Sequence, residues 1–315
     1  MKTSTLKDSL ISNYTNRYWP HVKDINNFLR EYTDFHGRAD DLLGLDCLNG
    51  GSAEVEFVAE ILKPMRGSQV LEVGCGIGGP ARIIAAKSAA QLTGVDLVPQ
   101  QVASAQQFNK ICRVRDNLCS FKLATAERLP FPDDYFDAAY EIEVFSHIED
   151  KQSALTELAR VLKKGAKVVF ADFTNAGSLP DLERLFPETA TTLWYADKRE
   201  ALLKACGFEM IEIHDRSLNV AEGYTLFADL FQPEIKLDRQ TFSAGLHWWA
   251  QGKQRKPAVI RARLKFLKFC RQRKQASQRF LHGAGRQRIF DYCRTMIPAC
   301  EQGRIKYEVV LARKI

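Results

Sequence analysis

The sequence predicts an α/β fold: a mostly parallel, seven-stranded sheet with an N-terminal helical cover and a helical insertion before the last strand. Three observations carry that expectation. Short apolar runs alternate with helix-like stretches from about Val55 to Asp215, the pattern that βαβ units produce. The first of these runs, Gln69–Val73, leads straight into a glycine-rich turn and a helix. The last twelve residues, Arg304–Ile315, return to strand periodicity, with Ile305, Tyr307, Val309 and Leu311 alternating with charged or less apolar positions.

Taken in order, strands are expected at Gln69–Val73, Gln91–Val95, Ser120–Ala124, Phe136–Ile142, Lys167–Asp172 and Glu209–His214. Helices fit between them at Gly79–Lys87, Pro99–Lys110, Lys151–Leu162 and Lys198–Ala205. Lys163-Lys164-Gly165 is a helix stop, and Gly207 is another. Residues 1–50 are rich in aromatics and lack strand signal, so they read as a helical cover or lid. Residues 51–216 form the core. Residues 217–303 read as a basic helical insertion rather than a tail, because the closing strand 304–315 follows them. There is no internal repeat.

Composition narrows the class. The 315 residues are 45% hydrophobic and 26% charged, which excludes a disordered or collagen-like chain. No run approaches the roughly 18 apolar residues a spanning helix needs. The stretch MKTSTLKDSLISNYTNRYW has no apolar h-region, so a cytoplasmic location is expected. Eight cysteines without a CxxC pair read as free thiols, and no His/Cys/Asp grouping has metal spacing. The net charge of +7 is unevenly spread: residues 250–315 hold 18 Lys and Arg against 3 Asp and Glu, leaving the preceding 249 residues at −8. Such asymmetry suggests an anionic partner.

The most informative stretch is Val70-Leu71-Glu72-Val73-Gly74-Cys75-Gly76-Ile77-Gly78-Gly79-Pro80. Its glycines let the backbone turn sharply so that a ligand can lie against the main chain, and the helix start behind offers free N–H groups. The spacing is G-x-G-x-G, not the G-x-G-x-x-G that approaches a pyrophosphate. Glu72 precedes the turn, where it can neutralise a cation, and Asp96 ends the next strand, where it can receive both ribose hydroxyls. A cation carrying a ribose fits S-adenosylmethionine better than a nicotinamide dinucleotide.

Here the sequence resembles the class I S-adenosylmethionine-dependent methyltransferases with their Rossmann-like sheet, over roughly residues 50–215 and the closing strand. VLEVGCGIGGPARIIA and Glu141-Ile142-Glu143-Val144-Phe145-Ser146-His147 are similar to the corresponding stretches of sterol and isoprenoid C-methyltransferases. LPFPDDYFDAAYEIEVFSHIED and ALTELARVLKKGAKVVFADF fit the wider small-molecule branch. The resemblance implies that Gly74, Cys75, Gly76 and Gly78 hold the methionine part of the cofactor with Glu72 nearby. Asp96 would bind the ribose and Leu97 would lie against the adenine, with Gln101, Thr125, Ala126 and Glu127 completing the set. Thr125 stands where the family has an aspartate that accepts from the adenine amino group; a hydroxyl can still accept, and the Ala126 N–H does not depend on its side chain.

His147 and Glu143 fall just beyond the fourth strand, at the carboxyl edge where open α/β sheets bind ligands. His147 is a candidate base, with a capping or loop-ordering role as the alternative. Glu143 is expected as a cofactor-side or cation-stabilising carboxylate, and Glu141 as solvated or paired. Tyr14, Trp19, Phe35 and His36 are candidate acceptor contacts, since an aromatic N-terminal segment lines the substrate site in sterol-type methylases and aromatic faces steady a carbocation. The basic, amphipathic stretch Val259–Phe280 reads as a lid, a surface resting on anionic lipid, a grip on an acidic small molecule, or a grip on nucleic acid. Nucleic acid is not the expected partner, because the tetrad Glu141-Ile142-Glu143-Val144 is not that of nucleobase methylases. The expected activity is methyl transfer to a small, lipophilic acceptor, in its sharpest form carbon methylation of an isoprenoid-like substrate. Nitrogen or oxygen methylation of a specialised metabolite is the alternative. An RNA methyltransferase and a non-catalytic cofactor-binding scaffold stand as further readings.

Overall fold

The computed structural model describes residues 51–112, 114, 117–175, 193–231 and 284–315, together with 7, 8 and 11. Most of the expected cover, the basic stretch Val259–Phe280 and the acceptor candidates Tyr14, Trp19, Phe35 and His36 lie outside the described residues.

The chain enters through α1 (Gly51–Leu62), whose Val55, Val58 and Leu62 are buried at helical spacing. It continues as β1 (Gln69–Val73), α2 (Gly79–Ser88), β2 (Gln91–Asp96), α3 (Pro99–Ile111), β3 (Cys119–Leu123) and β4 (Phe136–Ile142). Then follow α4 (Lys151–Val161), β5 (Leu162–Asn175), the two-residue β6 (Trp194–Tyr195), α5 (Ala196–Ala205), β7 (Phe208–Asp215), α6 (Ser217–Phe231), α7 (Ala284–Glu301) and β8 (Ile305–Lys314). The sheet order is β3-β2-β1-β4-β5-β8-β7, with β6 pairing off this path on β5. All pairs are parallel except those of β8, which runs antiparallel to both β5 and β7. This is the mostly parallel, Rossmann-like sheet expected from the sequence.

Two positions differ from the sequence expectation. The fifth strand begins at Leu162 rather than Lys167, because α4 runs directly into it and Leu162 pairs with Phe136 before the register shifts between Phe136 and Ala138. The expected stop is nonetheless present: α4 ends at Val161, and Gly165 adopts φ +79°. Strand β6 was not foreseen, since two residues are too few to show an alternation.

Helices cover both faces, as a parallel sheet buried on two sides requires. One face packs against α1, α2, α3, α6 and α7, and the other against α4 and α5. On the second face Phe145 stacks on Trp194 at 5.0 Å and meets the Phe170 ring edge-on at 5.3 Å. Two buried ion pairs pin the periphery. Arg216 grips Glu54 with two nitrogens, at 2.6 and 2.9 Å, fixing α1 to the entry of α6. Glu308 on β8 accepts from Arg199 on α5 at 2.8 Å and from Thr174 on β5 at 3.1 Å. No helix among the described residues is long and apolar enough to cross a membrane.

The site-determining consequence is the strand order. The chain winds outward from β1 through β2 to β3, then returns to place β4 on the other side of β1. The crevice outside the carboxyl ends of β1 and β4 is therefore the topological switch point, where ligands bind in such sheets. The ion pairs make a stability prediction. Glu308→Ala leaves the Arg199 guanidinium buried and uncompensated and should destabilise the protein by about 3–5 kcal/mol in urea unfolding. Asp133→Ala removes an exposed partner of Arg160 and should cost less than about 1 kcal/mol.

Candidate active site

The turn after β1 is held by main-chain contacts, by Asp96 and by the buried Arg82, whose Nη1 donates to the Ile77 carbonyl at 2.8 Å. Gly74, Gly76 and Gly78 have φ of +72°, +50° and +80°, a region that favours glycine. The N–H groups of Gly74 and Cys75 both donate to the Val95 carbonyl, at 2.8 and 2.9 Å, so the turn leans on the end of β2. A Cβ on Gly74 would lie 2.2 Å from Val144, so the turn after β1 touches the segment after β4. A Cβ on Gly78 would lie 2.4 Å from the Phe121 ring, which closes the turn onto β3.

Four carboxylates gather at the carboxyl ends of β1, β2, β4 and β5. Glu72 is buried beside the buried Tyr140 hydroxyl, and burial followed by the Glu72 charge pushes that phenol well above its ordinary range. Asp96 accepts the Gly76 N–H at 2.9 Å on one oxygen and the Val98 N–H at 2.8 Å on the other. It thereby ties the glycine turn to the entry of α3. Burial raises the Asp96 carboxyl, and its bonds from the Val98, Gly76 and Leu97 amides oppose the rise. Glu141 and Asp172 are buried on the neighbouring strands. Glu141 is thus paired and not solvated: its carboxylate accepts the Val144 N–H at 2.9 Å and the Phe145 N–H at 3.3 Å.

The remaining cofactor candidates lie along the same edge. Leu97 is half-buried directly after β2. Gln101, in the first turn of α3, is buried, and its Oε1 has no hydrogen-bond partner among the described residues. Thr125, Ala126 and Glu127 form the half-buried turn after β3, where the Thr125 carbonyl accepts the Arg128 N–H at 3.1 Å and Glu127 pairs with Lys7 at 3.0 Å. Strand register places these connections side by side, since Val95 is opposite Val73 and Asp96 opposite Leu123. The donor set suits a cation with a polyol: buried carboxylates for positive charge, second lone pairs on Asp96 for hydroxyls, and an unused buried amide oxygen on Gln101.

Beyond β4 the backbone is strained. Glu143 has φ +59°, a left-handed conformation that costs a non-glycine residue about 1–2 kcal/mol. Its N–H donates to the Ala171 carbonyl at 2.8 Å, which holds it there. Phe145–His147 forms a single 3-10 turn, anchored by the stack of Phe145 on Trp194. Burial, reinforced by the nearby Lys151 charge, lowers the His147 imidazole from 6.5 to about 4. His147 is therefore a neutral imidazole at pH 7.

Sequence reading missed a second group of residues. Phe173 on β5 meets Tyr307 on β8 edge-on at 4.9 Å and stacks with Tyr224 on α6 at 6.4 Å. The Tyr224 hydroxyl lies 3.3 Å from that of Tyr292 on α7. Burial pushes the Tyr307 and Tyr224 phenols far up, and the Glu143 charge adds to both. Nothing in the sequence signals the grouping, because its members come from four separate segments. Asp172 was legible by the same rule as Asp96, an acid ending a strand.

The fold is a doubly wound α/β sheet whose ligand edge gathers acidic side chains. Residues 71–170 match the family model described as a methyltransferase domain. Methyltransferase GfsG of Streptomyces halstedii is 31% identical over 214 residues, covering 60% of this chain and 77% of that protein. Cycloartenol-C-24-methyltransferase of Arabidopsis thaliana is 40% identical over 109 residues, covering 35% of this chain and 32% of that protein. The fold is also that of geranyl diphosphate C-methyltransferase from Streptomyces coelicolor A3(2), with a TM-score of 0.60 at 13% identity over 84% of this chain and 78% of the other. The chain belongs to the class I S-adenosylmethionine-dependent methyltransferases that act on small molecules.

Gly76→Arg should abolish binding of S-adenosylmethionine in titration calorimetry, because a long side chain would occupy the turn that Asp96 holds. Unchanged affinity in that variant would remove the turn from the cofactor site.

Proposed function

We propose that this methyltransferase methylates carbon in a small, lipophilic, isoprenoid-like acceptor. The surroundings of Glu143 carry the reading: a carboxylate on strained backbone whose charge reaches the Tyr224 and Tyr307 phenols, which themselves pack with Phe173 and Tyr292. S-adenosylmethionine supplies, when bound, a methyl group on a positively charged sulfur. The acceptor's π pair forms the new carbon–carbon bond, and the pair of the methyl–sulfur bond stays on sulfur. A carbocation is left on the acceptor. A fixed carboxylate and aromatic faces stabilise such a cation in a site that excludes water. Glu143 takes that electrostatic role, and neutral His147 accepts the proton lost from the adjacent carbon.

In the same reading the Gly74–Gly78 turn, with Cys75 and Glu72, holds the methionine end of the cofactor. Asp96 holds the ribose and Leu97 the adenine, with Gln101, Thr125, Ala126 and Glu127 completing the cradle. Tyr14, Trp19, Phe35 and His36 remain the candidate acceptor contacts of this reading, and the basic stretch Val259–Phe280 its candidate contact for an acidic or membrane-borne acceptor; both lie outside the described residues. A second reading, oxygen or nitrogen methylation of a specialised metabolite, is favoured by one observation. Neutral, buried His147 suits removal of a hydroxyl or ammonium proton.

Incubation with methyl-labelled S-adenosylmethionine and a panel of isoprenoids and hydroxylated analogues, followed by NMR of the products, separates the two. A new carbon-bound methyl is expected, and a methyl ether or methylamine would transfer the assignment to the second reading. Glu143→Gln should lower turnover about a hundredfold with cofactor affinity kept. The loss of wild-type turnover at low pH should include a limb near 4, where His147 protonates, and His147→Ala should remove that limb.

A further inference from the structure

Two carboxylates that the transfer step does not use are buried at the ends of β4 and β5. Glu141 is 1% exposed and Asp172 2%. Apart from the N–H of Phe173, which Asp172 receives at 2.7 Å from its own neighbour, the hydrogen bonds to these carboxylates come from residues 144–146, the Ser146 side chain included. Glu141 accepts Val144 and Phe145 on a single oxygen, Oε2, and Asp172 accepts the Ser146 N–H at 2.6 Å. These three amides lie between Glu143 and His147. Phe145 anchors the same stretch from the other side through Trp194 and Phe170. Lys151, at the start of α4, donates to the Ile148 carbonyl at 2.6 Å and closes the far end.

We propose that Glu141 and Asp172 form a clamp on the 144–146 main chain that presents Glu143 and His147 to the acceptor, which makes both acids positioning residues for methyl transfer. The inference rests on the reading of Glu143 and His147 given above. The two acids do different work. Asp172 uses both oxygens as acceptors, Oδ2 for Ser146 and Oδ1 for Phe173, so it needs the ionised, two-acceptor form. Glu141 uses one oxygen only, and its Oε1 has no hydrogen-bond partner among the described residues. A protonated Glu141 meets that geometry, with the hydroxyl on Oε1. Burial and the Asp172 charge hold the Glu141 carboxyl well above its ordinary range, and burial lifts Asp172 to about 6. Of the two acids, Glu141 is the one that can take up a proton without losing a main-chain bond. The charged or titratable groups facing it are Glu143 beyond β4, Lys151 on α4 and Tyr307 on β8.

The asymmetry gives the test, on the full chain. In Glu141→Gln the amide oxygen replaces Oε2 and the amino group replaces the protonated Oε1. In Asp172→Asn an amino group must face a backbone N–H. Turnover of the acceptor recovered in the labelled-methyl assay should stay within about threefold for Glu141→Gln and fall about tenfold or more for Glu141→Ala and Asp172→Asn. The His147 ring, followed by NMR titration, should stay near 4 in Glu141→Gln and rise toward 6.5 in the other two. Calorimetric affinity for S-adenosylhomocysteine should be retained in all three. A Glu141→Gln variant as damaged as Glu141→Ala, an undamaged Asp172→Asn, or an unmoved His147 titration overturns the clamp. Wild-type turnover in Glu143→Gln would instead overturn the reading on which the clamp rests.

Discussion

Carboxylates buried against main-chain amides are the constraint on which the ligand edge of this sheet depends. Asp96 fixes the glycine turn to α3, while Glu141 and Asp172 fix the segment after β4. Each such bond replaces water with a preorganised N–H, which offsets part of the cost of burying charge. The edge keeps a negative potential as a result. A cationic cofactor meets that potential without the protein having to rearrange.

Strand order converts this local chemistry into a site. Reversal of winding at β1 and β4 puts the glycine turn and the strained Glu143 on adjacent strands, in contact through Gly74 and Val144. The antiparallel β8 then returns the chain so that Tyr307 stands beside Phe173. Helices α6 and α7, which flank the stretch between β7 and β8, bring Tyr224 and Tyr292 to the same place. In the proposed reading the cofactor half of the site comes from loops between consecutive strands, and the acceptor half from segments distant in sequence.

That division explains what could be read from the sequence. The glycine turn and the place of Asp96 beside it were legible because their signals are local: a strand, three glycines at fixed spacing, and an acid ending the next strand. The bounds of β1 and β4 match the expected ones, since parallel strands buried on both faces are near-continuous apolar runs. Glu143 and His147 were legible as positions, but not the left-handed backbone of Glu143 or the lowered titration of the His147 imidazole, which follow from packing around them. The Tyr224, Tyr292 and Tyr307 grouping was not legible at all. No periodicity reports that residues scores of positions apart will share a contact.

Hydrogen exchange read by mass spectrometry, with and without S-adenosylmethionine, tests the central claim most directly, because it maps the cofactor without requiring the acceptor. New protection should concentrate in the Gly74–Gly78 turn, at Asp96–Gln101 and at Thr125–Glu127. Protection absent from all three, or found only elsewhere on the sheet, would contradict the account.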